Sequence, residues 1–265
     1  MGPPIATLVF AACAALAQAP AARPAFDAFE VATIKPAAPD AIGRYIRMQS
    51  AHELVAHNHT LKTLIAAAYN QSPHAISGGP GWVDSEHFEI LAKTPGEARP
   101  RLEEQMAMLR KLLAERFHLT FHREPKELPY YALTVAKGGH KLKDTAITPD
   151  TYPEGPPALV IVLSPAQASL PARYATMTDL ASVLQRAALP RPVLDKTGLA
   201  GHYDFTLEWL PDETQFNGAA RWEAREDSKP DLYTALQRQL GLKLEAAKGP
   251  VDVFVIDRAA LPSGN

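Results

Sequence analysis

The sequence predicts an α+β fold of two related lobes, each a mainly antiparallel sheet packed against two helices. Three observations predict it: helical and strand periodicities alternate, the order of elements repeats after about 120 residues, and short strings match between the copies. His87-Phe88-Glu89-Ile90 stands against His202-Tyr203-Asp204-Phe205, and residues 113–119 (LAERFHL) stand against residues 236–242 (LQRQLGL). A chain of 265 residues can hold one large or two small domains; the repeat favours two. The expected division is a signal peptide over 1–17, a linker over 18–28, a first lobe over 29–147 and a second over 148–265. The boundary falls in a span rich in proline and threonine, residues 145–157.

Residues 5–16 form an apolar run too short to span a bilayer, and Ala15-Leu16-Ala17 offers a cleavage site before Gln18. This reads as an export signal, which would place the mature protein in the periplasm or outside the cell. No Lys or Arg precedes the run, and a buried N-terminal helix is the alternative. Cys13, the single cysteine, lies inside it. The mature chain would then lack disulfides, thiol nucleophiles and thiolate ligands. Phe10-Ala11-Ala12-Cys13 is an imperfect lipoprotein box, so membrane attachment is expected only if Cys13 is lipidated.

Residues 29–34 alternate as a half-buried strand that Pro36 stops. Strands are expected at 45–48 and 53–56. Thr60 is placed to cap a helix over 61–69, whose Leu61, Leu64, Ile65 and Ala68 share one face. Residues 76–82 (ISGGPGW) read as a turn, with Trp82 anchoring it to the core. A strand at 87–93, a helix at 102–116 and strands at 118–124 and 130–136 complete the first copy. The second copy has helices at 179–187 and 232–240, with strands at 202–209, 243–246 and 251–257.

Thr60-Leu61 through Ala68-Tyr69, Gly78-Gly79-Pro80 with Trp82, Leu112 to Phe117, His122-Arg123-Glu124, Asp195 to Leu199 with Gly201, Leu207-Glu208-Trp209 and residues 240–245 before Ile256-Asp257 together carry a family likeness. The chain resembles a large family of secreted proteins abundant in soil acidobacteria, a domain of unknown function. That resemblance implies export and supplies no catalytic residues; the domain can also accompany membrane peptidases of the antibiotic-sensor type. Each half is in addition similar to the small N-terminal domains of secretins and TonB-dependent receptors, which implies protein interaction at the level of fold alone.

Composition excludes one class of partner. A net charge of −2 gives no basic face for nucleic acid. No nucleotide, serine-hydrolase or P-loop signature occurs, and no cofactor is expected. His52 and His57 resemble a zinc-protease pair, but five residues on a helix turn the second away from the first by roughly 140°. His57 and His59 would share one strand face, either as two metal ligands or as a solvated strand end. His118 and His122, placed on a strand, would lie about 13 Å apart. Asp195-Lys196-Thr197-Gly198 matches the opening of a P-type ATPase motif without its continuation, and reads as a turn capped by Asp195.

The candidate interaction or cleft residues are Arg116, His122, Arg123, Asp195, His202, Asp204 and Trp222. Arg116, His122, Arg123 and Asp204, with Glu124 and Glu208, lie near element ends, where ion pairs between lobes and ligand contacts are both open readings, while Asp195 and His202 converging with a third polar group would mark a catalytic cleft. Trp222 sits in a charged stretch, residues 212–229, suited to partner contact. The expected function is a periplasmic or extracellular module for protein interaction or ligand binding, with an envelope protein as partner. The alternative is a hydrolase with carboxylate or histidine acid-base chemistry in a cleft between lobes.

Overall fold

The computed structural model describes residues 25–148, 159–218 and 229–262. The signal segment with Cys13, part of the expected lobe boundary and Trp222 lie outside the described residues. In chain order the elements are β1 (Val31–Pro36), β2 (Tyr45–Met48), β3 (Glu53–Thr60), α1 (Leu61–Ala68), β4 (Ile76–Gly78), α2 (Trp82–Ser85), β5 (His87–Lys93), α3 (Leu102–Arg116) and β6 (Thr120–Val135). There follow β7 (Lys143–Asp144), β8 (Val162–Leu163), β9 (Ala168–Ala175), α4 (Met177–Val183), β10 (Val193–Asp195), β11 (Tyr203–Trp209), α5 (Leu232–Ala235) and β12 (Leu242–Arg258). The fold is α+β.

Two antiparallel sheets have corresponding strand orders, β1-β5-β3-β2 and β7-β11-β9-β8. The first packs under α1 and α3. Along β5 only Phe88, Ile90 and Ala92 are buried, the alternation that makes this strand legible in sequence. They meet Leu61, Leu64 and Ile65 of α1 and Leu109, Leu112 and Leu113 of α3 in one apolar cluster. Thr60 caps α1 by accepting the Thr63 N–H, an interaction worth about 1 kcal/mol. The second sheet packs under α4 and α5 in the same manner, around Leu170, Leu180, Leu207 and Trp209.

A third sheet, β10-β6-β12-β4, belongs to both halves. Each pair of short strands expected at the end of a copy is one long strand here, and these two strands pair antiparallel from Leu242 opposite Val135 to Arg258 opposite Thr120. Pro129 and Pro250 do not break the ribbon, since proline costs a ladder bond without forbidding extended backbone. β4 then adds parallel to the far end of β12, and β10 parallel to the far end of β6. The exchange is reciprocal: Phe254 and Ile256 fill the first core, and Leu133 fills the second.

Two local expectations need correction. His118 is not on a strand; it has a φ of 49° just after α3, the left-handed residue that ends the helix, and β6 begins at Thr120. The first helix of the second half ends in a wider turn than periodicity predicts. α4 runs into a π-helical turn over Leu184–Ala188, closed by the Leu189 N–H donating to the Leu184 carbonyl at 2.8 Å.

Candidate functional site

A β-bulge begins the site. Ala56 faces Ile90 while His59 faces Phe88, so three steps on β3 match two on β5. Asn58 absorbs the extra residue with a φ of 56°, a conformation asparagine tolerates better than most residues. Glu89 fixes the bulge with both oxygens: one accepts the Asn58 N–H at 3.0 Å and the other bonds His57 Nδ1 at 3.0 Å. The freed side chains then hold the preceding loop. Asn58 Nδ2 donates to the carbonyls of Ala41 and Gly43, and His57 Nε2 bonds the Ile42 carbonyl. Tyr45 stacks on His57 at 4.9 Å. Arg44, between these pinned residues, is thereby placed at the junction of the halves.

The π-helical turn supplies the opposite wall. Gln185 bridges the two halves, accepting the Val193 N–H and donating to the Asn70 carbonyl. Asn70 donates to Ser182 Oγ at 2.8 Å, and Arg186 Nε donates to the Ser182 carbonyl at 3.1 Å. A cavity of about 70 Å³ lies between, lined by Arg44, Thr63 and His74 from the first half and by Arg186, Ala188 and Phe216 from the second, among others. A π turn replaces the tight helical spiral with a wider one, which presents consecutive residues to one side and recurs at functional sites.

The electrostatics of this junction are one-signed. Burial lowers the pKa of Arg44, and burial lowers that of Arg186 against a smaller opposing pull from Asp179. His74 is lowered by burial and then by Lys62. His59, which hydrogen-bonds Thr63 Oγ1 at 3.1 Å, is driven down to about 3 by burial, then by the Arg44 charge. Its Nε2 is buried without a well-formed hydrogen bond, although the Tyr45 backbone nearby favours the charged ring. Among the described residues that line the cavity none is acidic.

The sequence candidates fall elsewhere. Arg116 Nη1 donates to the Ala32 carbonyl, tying α3 to β1. His122 bonds Asp257 at 2.8 Å, and Arg123 covers the Phe254 ring at 4.5 Å, so both fasten β6 to β12. Asp195 accepts the Thr197 N–H and hydroxyl, the capped turn expected, and also the Thr178 hydroxyl. His202 stacks on Tyr174 at 4.0 Å, while Asp204 accepts the Tyr174 N–H and bonds Arg173. The contacts of Asp195 and His202 thus serve separate turns. His57 and His59 are split by the bulge, one bonded to Glu89 and the other turned to Thr63. Among the described residues no group of three or more His, Cys, Asp or Glu could hold a metal ion.

The model of one family, described as a protein of unknown function (DUF3738), matches residues 62–259. The chain belongs to this family. The matched span holds α1, the π-helical turn with Arg186 and both long strands, while Arg44 precedes it. Curated proteins and solved structures give no match.

Proposed function

We propose that the protein is an exported binding module that seats a ligand in the cavity between its halves. The observation that carries this reading is the cavity itself: both copies line it, and a bulge on one side and a π turn on the other position its side chains. For the alternative, a hydrolase with carboxylate or histidine acid-base chemistry, the described lining offers His74 and no carboxylate. Export rests on the apolar run before Gln18. Among the described residues no helix is long and apolar enough to cross a membrane. Terminal sequencing and mass of the mature protein test the export reading: a chain beginning at Gln18 supports cleavage, and one beginning at a lipid-modified Cys13 supports anchoring.

We also infer that the halves descend from one duplicated unit. In support, the second bulge sets Ala172 opposite Phe205 and Ala175 opposite Tyr203, with Tyr174 at a φ of 54° and Asp204 accepting its N–H, matching Asn58 and Glu89. In the first copy the bulge also holds a loop carrying arginine.

The binding reading is tested by narrowing the cavity with Ala188→Leu and screening solutes by thermal shift. Solutes that stabilise the wild type and leave the narrowed variant unmoved support it. Solutes that stabilise both alike would place binding elsewhere. An envelope protein is the proposed partner, and a pull-down with the mature chain, using Trp222→Ala as control, would locate its contact.

A further inference from the structure

Resting on the reading that the junction cavity is the ligand site, we propose that it receives a small oxyanion, a carboxylate or phosphate group carried by a solute, held between the guanidinium groups of Arg44 and Arg186. Arginine presents a planar fork of donors that matches such oxygens bidentately. Both arginines line the same small space, and no carboxylate is in ion-pair contact with either among the described residues. Among the described residues three acids of the flanking elements are engaged elsewhere. Glu89 holds His57 and Asn58, and Asp212 accepts from Thr214 and Gln215. Asp179 closes the cap of α4 by bonding Thr176 and acts on Arg186 only at a distance.

Each guanidinium loses hydration by being drawn out of bulk water, and an anion entering between them offsets that loss. The arrangement is held in place before any ligand arrives. Asn58 and His57 hold the three carbonyls before Arg44, the pairing of β2 with β3 from Tyr45 onward fixes the chain after it, and the Ser182 carbonyl takes Arg186 Nε. That leaves the terminal nitrogens of Arg186 for the cavity. The volume of about 70 Å³ is several times the roughly 10–15 Å³ of such space that one water needs. It therefore admits a charged group of a few heavy atoms and leaves the remainder of the solute outside.

The test is isothermal titration of the full mature chain with inorganic phosphate, sulfate, acetate and neutral acetamide at constant ionic strength. Arg44→Gln and Arg186→Gln remove one donor each, and Arg47→Gln, whose guanidinium covers the Tyr45 ring at 4.6 Å, removes a neighbouring charge that does not line the cavity. The expected result is one site per chain for acetate or for phosphate, weakened about tenfold or more by Arg44→Gln and by Arg186→Gln and unchanged by Arg47→Gln. Preference between acetate and phosphate assigns the group. No oxyanion bound by the folded wild type, or equal binding by all three variants, overturns the proposal. If acetamide binds and Ala188→Leu abolishes it, the cavity remains the ligand site and only its anion chemistry falls. If oxyanions bind alike to wild type and Ala188→Leu, both readings fall together.

Discussion

His59 shows how one buried side chain couples the site to stability. The ring is 6% exposed, and burial followed by the Arg44, His87 and His57 charges sets its folded pKa at about 3, against an unfolded value near 6.5. Between these values the unfolded chain carries a proton that the folded chain refuses. The unfolded state therefore binds more protons, and stability rises with pH through this window. Its contribution is complete above about pH 6.5 and is lost toward pH 3, with a slope of up to about 1.4 kcal/mol per pH unit. Urea unfolding at several pH values should show a steeper slope in the wild type than in His59→Asn, which keeps the contributions of His74 and the carboxylates of lowered pKa; equal slopes would mean that the folded ring takes up its proton normally. Asn58 offers a second check. Asn58→Ala removes two bonds to the loop before β2 and should weaken solute binding at the cavity, by about tenfold, with less effect on the unfolding midpoint than on affinity. Asn58 was not singled out in the sequence, although asparagine takes left-handed backbone more readily than most residues. Arg44 and Arg186 were not readable, because their meeting depends on a bulge and a π turn, which leave no periodic trace.

At the scale of elements, the two helix ends before the long strands answer the same problem with different residues. Gly241 ends the turn Leu236–Leu240 at a φ of 66°, and His118 ends α3 at 49°. A Cβ on Gly241 would strike the Gly139 carbonyl and the His140 backbone. Gly241→Ala should then cost about 2 kcal/mol or more, combining left-handed strain with the clash. His118 is exposed, so His118→Gly gives up little packing. It should stabilise by roughly 0.5–1 kcal/mol, the left-handed penalty less the added freedom of the unfolded chain. Thermal denaturation of both variants decides it, and opposite signs are the expected outcome. The elements that were legible had strong local signals. β5 and α3 match their expected bounds because a clean alternation marks one and a long uninterrupted helical pattern marks the other. The three-residue strands β4 and β10 were missed, since each exists only as an addition to a long strand from the other half. Pro129 and Pro250 divided β6 and β12 in the sequence, whereas pairing along the whole ribbon keeps each strand continuous.

The whole molecule is governed by that ribbon. If the chain is cut near residue 148, the first half keeps α1, α3 and their sheet but loses Phe254 and Ile256, and the second loses Leu133, all at most 4% exposed in the intact fold. Each fragment would also strip a strand 16 or 17 residues long of both its sheet neighbours. An exposed strand edge beside an incomplete core seeks a partner. Fragments 18–147 and 148–265 should accordingly show no cooperative unfolding as monomers, and should recover it when mixed as a one-to-one complex. Analytical ultracentrifugation with circular dichroism reads both properties. A fragment that melts cooperatively as a monomer would show that its sheet and two helices suffice, and that the shared sheet only joins finished lobes. The remaining outcome bears on origin. The pairing of β6 with β12 is antiparallel between corresponding strands, the geometry of a two-fold interface. If fragment 18–147 pairs β6 with a second copy of itself, the repeat would be a fused dimer, and the loop carrying Arg44 would be the departure from symmetry that made one junction into a binding site.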